Sequence, residues 1–194
     1  MWRAACCYLA LVLIAVPAVA IGQQKTVDQQ IVEAVSPLPE EMREAATVMA
    51  YVDADTLSIV RMGLNLMICL ADDPKISGFH VACYHRDLEP FMARGRQLRA
   101  QGKTTAENQQ IRVAEIEDGD LPMPSHPAAL YSLTGPEGSF DHTTGSAIGA
   151  HGLHVLYVPY ATETSIGISE VASSERPWLM NPGTPLAHIM IHIP

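Results

Sequence analysis

Histidine is the residue type in this chain best suited to chemistry at neutral pH. There are eight: His80, His85, His126, His142, His151, His154, His188 and His192. In the closing apolar run, Leu186 to Ile193, alternation places His188, Met190 and His192 on one face and Ala187, Ile189, Ile191 and Ile193 on the other. At about 3.3 Å per residue, His188 and His192 stand about 13 Å apart and cannot share one ion. A metal site therefore requires His188 beside a histidine of another strand. His154, within the apolar run that ends at Val158, is the natural partner, and His151 can meet His154 across the Gly152 bend. Imidazole suits zinc or copper, and methionine adds a soft copper ligand. The alternative is a set of hydrogen-bonded polar residues on a half-exposed sheet face.

Asp141 and His142 form a second candidate, a ligand-binding pair within the Gly-, Ser- and Thr-rich stretch from Thr134 to Gly152, long enough for a functional loop. A hydrolase needs a nucleophile, a base and an orienting group, and Asp141 beside His142 offers two of the three. The sequence contains no G-x-S-x-G elbow, no H-E-x-x-H helix and no Gly-rich phosphate loop. Three classes stay open: small-ligand or metal-ion binding through a histidine-bearing sheet face, a metal-dependent or serine hydrolase, and a structural cell-envelope protein.

The elements that must hold these residues are organised around Leu66 to Arg86. Leu66 to Ala71 is apolar, Asp72-Asp73-Pro74 and Ser77-Gly78 are turn residues, and Phe79 to His85 resumes the apolar pattern. Pairing Cys69 opposite Cys83 makes an antiparallel hairpin, with Met67, Cys69, Ala71, Val81, Cys83 and His85 on one face and His80, Ala82 and Tyr84 on the other. Directly opposed Cα atoms about 4.5 Å apart lie near the short end of the disulfide range. A rival reading makes Cys69, His80, Cys83 and His85 zinc ligands, without a paired C-x-x-C spacing, and a third leaves both thiols free.

The compartment is set by the first twenty residues. A basic start at Arg3, an apolar run from Ala4 to Ala20 and the small-residue signal Ala18-Val19-Ala20 read as a secretory signal peptide, cut near Ala20 and taking Cys6 and Cys7 with it. That implies a secreted or periplasmic protein, an oxidising destination for Cys69 and Cys83, and no membrane insertion after cleavage. Removing Arg3 from the twelve basic residues changes the net charge from −9 to −10. An acidic chain without a basic patch argues against a nucleic-acid partner and against adsorption to an anionic membrane.

Read in order, residues 21–35 are a flexible leader with a short helix from Ile31, followed by a single domain over residues 36–194. Ser36-Pro37-Leu38-Pro39-Glu40-Glu41 caps a helix that continues to about Tyr51 on the spacing of Leu38, Met42, Ala45, Ala46 and Met49. Thr56 to Met62 is a strand. Asp87 caps a helix from Leu88 to Gln101, whose Arg94, Arg96 and Arg99 could form a solvated face or hold an anion. Lys103 to Gln110 reads as loop, and Ile111 to Ile116, Ala128 to Leu133, Leu153 to Val158 and Leu186 to Ile193 as strands. Two or three helices and six or seven strands give an α+β fold with a largely antiparallel sheet.

Several of these segments together resemble a known pattern. Arg61-Met62-Gly63-Leu64-Asn65, Cys69, Asp72-Asp73-Pro74, His154, and Gly183-Thr184-Pro185-Leu186-Ala187-His188-Ile189-Met190 are similar to a group of uncharacterised exported bacterial proteins. The terminal G-T-P-x-A-H-x-M is the most specific part. The resemblance implies export and a single folded domain, and carries no activity.

Overall fold

The computed structural model describes residues 25–193. The expected signal peptide, with Cys6 and Cys7, lies outside the described residues.

The core is an eight-stranded sheet. Its strands are β1 (Thr47–Tyr51), β2 (Leu57–Arg61), β3 (Met67–Leu70), β4 (Phe79–His85), β5 (Ala128–Gly135), β8 (His151–Tyr157), β9 (Trp178–Met180) and β10 (His188–Ile193). They run in the order β2-β1-β3-β4-β5-β8-β10-β9, and a separate two-stranded ribbon joins β6 (Phe140–Asp141) to β7 (Ser146–Ala147). Every pair in the large sheet is antiparallel except β1 with β3. The helices are α1 (Val27–Val35), α2 (Glu40–Arg43), α3 (Glu89–Ala100), α4 (Thr105–Glu117) and α5 (Glu163–Ile166), and a 3₁₀ turn (Arg86–Leu88) leads into α3. This is the α+β class with a mostly antiparallel sheet.

The hairpin forms as its pattern dictates. Cys69 pairs directly with Cys83, Met67 with His85, and the two sulfurs are bonded with the Cα atoms 3.9 Å apart. Zinc ligation by thiolates is thereby excluded. Both half-cystines are fully buried in a cluster with Ala34, Val35, Leu38, Val48, Ala50 and Met67, so α1 covers this face of β1, β3 and β4.

The opposite face carries Ile68, Leu70, Tyr84 and Leu130, which pack with Leu88 and Met92 beneath α3. The Tyr84 hydroxyl donates to Glu89 at 2.5 Å, and Arg96 donates to both Tyr84 (2.9 Å) and Glu89 (2.6 Å), fastening α3 to β4. Arg94 forms an ion pair with Glu115 that bridges α3 to α4. These two arginines are engaged with carboxylates of their own chain and tie α3 to β4 and α4. α4 packs close because Gly95 has no side chain: a Cβ there would meet the Arg112 guanidinium at 2.9 Å. Arg112 lies 3.9 Å over the Phe91 ring instead, a cation–π contact.

Three sequence expectations are corrected. Residues 27–35 are not a flexible leader. Thr26 and Gln29 form a capping box, and Gln30, Glu33, Ala34 and Val35 are buried. The helix expected to run to Tyr51 stops at Arg43, and Thr47–Tyr51 is a strand. Ala46, Val48 and Ala50 are buried at period two, and β-branched Thr47 and Val48 suit a slot between β2 and β3. Lys103 to Ile116 is not loop plus strand. Thr104 and Glu107 form a second capping box, and Ala106, Glu107, Gln109 and Gln110 are good helix formers that begin α4.

Thirteen residues separate the two cysteines (Cys69, Cys83). Replacing both with alanine is expected to lower unfolding stability by about 3 kcal/mol, the chain-entropy value for a loop of this length. Urea melts of the oxidised and double-variant proteins measure it, and an unchanged midpoint would show that the bond contributes nothing.

Candidate metal centre

One group of metal-ligating side chains stands out among the described residues: His85, Asp87 and His126, whose ligand atoms all lie within 4.8 Å of one another. His85 is the last residue of β4, on the face shared with Met67 and Cys83. The chain leaves the sheet there, and the 3₁₀ turn folds Asp87 back beside the His85 ring. The Asp87 amide donates to His85 Nδ1 at 3.3 Å, a bond near the long limit that a metal would displace if it took that nitrogen. His126 sits in a bend of the run Leu121 to Pro127, whose three prolines keep it out of helix before β5 begins at Ala128. The β4–β5 pairing, Tyr84 opposite Leu130, draws that loop alongside the end of β4.

His126 Nε2 lies 3.3 Å and His85 Nδ1 3.7 Å from the same Asp87 oxygen, Oδ2. The two imidazoles meet edge to face with centroids 5.7 Å apart. Side-chain exposure rises from 20 % at His85 to 42 % at Asp87 and 54 % at His126. The site is thus anchored at one ligand and open to solvent at the other two. Two imidazoles and a carboxylate can hold a divalent ion and leave coordination positions for water or substrate.

The three histidines expected to bind metal together do not meet. Register places His188 opposite Tyr157 and His154 opposite Ile191. His154 therefore points to one face of the sheet and His188 to the other. His151 shares the His188 face, but it lies six residues along β8 from Tyr157, roughly 20 Å away at strand rise. Each ring has its own setting. His154 packs edge to face on Tyr131, with centroids 4.8 Å apart, and burial pushes its pKa below the usual value. His188 Nδ1 donates to the Leu186 carbonyl at 2.6 Å and the ring lies against Tyr157. Burial lowers its pKa, and that hydrogen bond only partly offsets the effect.

Asp141 and His142 are adjacent in sequence but serve different partners. The Asp141 carboxylate accepts from the Thr143 amide (2.8 Å) and the Thr144 hydroxyl (3.0 Å), closing the β6–β7 turn. These bonds hold its pKa below the ordinary aspartate value. His142 Nε2 instead meets Glu33 Oε1 at 3.0 Å, and Lys25 meets Glu33 Oε2 at 2.8 Å. Glu33 is 1 % exposed. Its carboxylate is clasped by one basic group from ahead of α1 and one imidazole from the β6–β7 ribbon, and Lys25 also reaches Asp72 at 3.2 Å. This arrangement joins three segments and assigns His142 a structural task. Sequence reasoning missed Asp87 and His126 as candidate ligands and Glu33 as a buried acid. H-x-D at positions 85–87 was the only local signal, and the approach of His126 depends on a strand register.

Comparison with protein-family models, with curated proteins and with solved structures finds no match.

Two outcomes follow from the buried groups. Removing Lys25 and His142 together strands an uncompensated carboxylate and is expected to cost about 3 kcal/mol, whereas Glu33→Gln, which removes the charge itself, should cost distinctly less. Equal losses in urea melts would contradict the clasp. His154 and His188 are harder to protonate folded than unfolded, so below pH 6.5 the unfolded chain binds more protons. Their contribution is complete above pH 6.5 and declines as pH falls from there through the lower folded values. Melting temperatures between pH 7.5 and 5 should drop, and His188→Asn should flatten the slope. An identical slope in that variant would exclude His188 as a source.

Proposed function

We propose that this chain is an exported protein that binds a divalent transition-metal ion at His85, Asp87 and His126, with zinc as the first choice. The observation that carries the reading is the convergence of two imidazoles and one carboxylate within 4.8 Å at the rim of the sheet. Zinc takes N and O ligands in tetrahedral geometry, and three protein ligands leave a fourth position for water. The absence of a thiolate or thioether among these three ligands favours zinc or Cu(II) over Cu(I). Metal binding through histidine thus remains the reading, moved from the sheet face to the sheet rim.

Export rests on the signal-like leader, on the Cys69–Cys83 bond, which persists in oxidising compartments, and on the resemblance to exported bacterial proteins. Among the described residues no helix is long and apolar enough to cross a membrane.

Isothermal titration of untagged, chelator-stripped protein with zinc chloride tests the site. The expected result is one ion per chain. Affinity should fall at least about tenfold in His126→Ala and in Asp87→Ala, more than enough to see by titration. His188→Asn should bind as the parent does. Binding that survives both ligand variants, or no binding at neutral pH, would overturn the assignment.

A further inference from the structure

The run Leu121 to Pro127 that carries His126 to the candidate metal centre also lines a groove. Tyr84 pairs with Leu130 across β4 and β5, and Ala128, the first residue of β5, pairs with Tyr157, the last of β8. The run therefore enters the sheet between two strand ends. Asp87 lies just past the end of β4, and Pro159 and Tyr160 lie just past the end of β8. Leu121, Met123, Pro124 and Ser125 form, with Pro159 and Tyr160, a groove of about 350 Å³. Ser125 belongs to the groove and the next residue is His126, so groove and centre share a border.

Tyr160 is out of place there by the measure of its own backbone. Its φ of 63° lies in the left-handed region, where a bulky side chain is strained. The Tyr160 amide donates to the Thr184 carbonyl at 2.8 Å and the Ala161 amide to the Val158 carbonyl at 3.0 Å, which fixes that conformation. Glycine or asparagine would meet it at lower cost. Tyr160 is also 58 % exposed, so packing in its own chain does not account for an aromatic ring at this turn. Strain of this kind gathers at ligand clamps.

Charge identifies what the groove takes. Arg86 Nε lies 3.8 Å from Asp87 Oδ1, beyond hydrogen-bond range, and its side chain is 63 % exposed. The imidazoles approach the other oxygen, Oδ2. A divalent ion and the Arg86 guanidinium together outweigh the Asp87 carboxylate, leaving local positive charge on a chain whose net charge is −9. That charge matches a small anion. The groove beside it is lined mostly by carbon, so the rest of the ligand is apolar. A carboxylate can offer one oxygen to an ion and the other to a planar guanidinium. A phosphate would leave charged oxygen against the apolar lining without a partner. We propose that the centre binds a small carboxylate with an apolar body, the carboxylate on the ion and Arg86 and the body in the groove against Tyr160. This deepens the metal reading and rests on ion uptake at His85, Asp87 and His126.

Calorimetric titration of the untagged chain with 3-phenylpropanoate tests this, once zinc uptake has been measured and the chain saturated with zinc. Acetate and inorganic phosphate are the comparators. The phenylpropanoate Kd should lie at least about tenfold below those of both, since acetate shares the carboxylate but buries no ring. Arg86→Gln should weaken phenylpropanoate and acetate alike by about tenfold while zinc uptake is kept. Tyr160→Asn should weaken phenylpropanoate alone, with a thermal melt no lower than the parent's because asparagine tolerates the left-handed backbone. Equal affinity for acetate and phenylpropanoate, phosphate binding as tightly, or parental phenylpropanoate affinity in either variant would refute the proposal. A chain that takes up no zinc refutes the metal reading and this one with it. Zinc uptake without phenylpropanoate binding refutes this one alone.

Discussion

Register in the large sheet is the constraint on which the remaining structure depends. The row Cys69, Cys83, Tyr131, His154, Ile191 crosses five strands on one face, each residue opposite the next. The neighbouring row begins with Met67 and His85 on that same face. A slip of one residue in any pairing would send every side chain of the slipped strand to the other face. The disulfide fixes the β3–β4 step outright. Burial of Val48, Val81 and the half-cystines fixes the steps around it, since each exposes apolar surface if displaced. Once register is set, the histidines have no further freedom to gather. His154 is committed to the Tyr131 side and His188 to the Tyr157 side.

The N-terminal helix shows how a costly group can organise a fold. A buried carboxylate is tolerated only if it is paired and hydrogen-bonded. Glu33 meets that condition with Lys25, from just ahead of α1, and the distant His142, while Lys25 also reaches Asp72 in the β3–β4 turn. α1, the hairpin turn and the β6–β7 ribbon are therefore held in one arrangement by a single side chain. Phe140 stacks on Phe79 beside it, at 6.0 Å between centroids, and shields the cluster. The Gly- and Ser-rich stretch that reads as a free loop is in this way a closed ribbon.

What could be read from the sequence was whatever rests on local pattern. The hairpin with its disulfide followed from two apolar runs, turn residues between them and the parity of Cys69 and Cys83. β2, β5, β8 and β10 followed from alternation. β1 did not, because Leu38, Met42, Ala45, Ala46 and Met49 satisfy helical spacing while Ala46, Val48 and Ala50 satisfy strand spacing. Only a vacant place beside β3 decides between them, and that is a tertiary fact. α4 was hidden by its polarity: its buried residues are few, and its start is signalled by Thr104 and Glu107 rather than by an apolar stripe. The three side chains of the candidate site were the least legible. His85 and His126 are forty-one positions apart in the chain, and nothing in their spacing encodes the β4–β5 pairing that makes them neighbours.

Among the described residues, groups without partners in the sheet gather where the ladder ends. In the interior rows, imidazoles and tyrosines are taken up by packing, His154 against Tyr131 and His188 against Tyr157. At the end of β4 the chain must turn, so backbone groups are satisfied locally and side chains such as Asp87 and His126 are left partly in water with lone pairs to offer. At β2 the ladder stops sideways instead, and what is left over is main-chain hydrogen bonding and apolar area. The two kinds of termination leave two kinds of chemistry. A strand's end offers convergent side chains, which suits an ion. A sheet's edge offers a repeating backbone. The division of labour on this surface is therefore set by topology before any particular side chain is considered, and residue identity only tunes it.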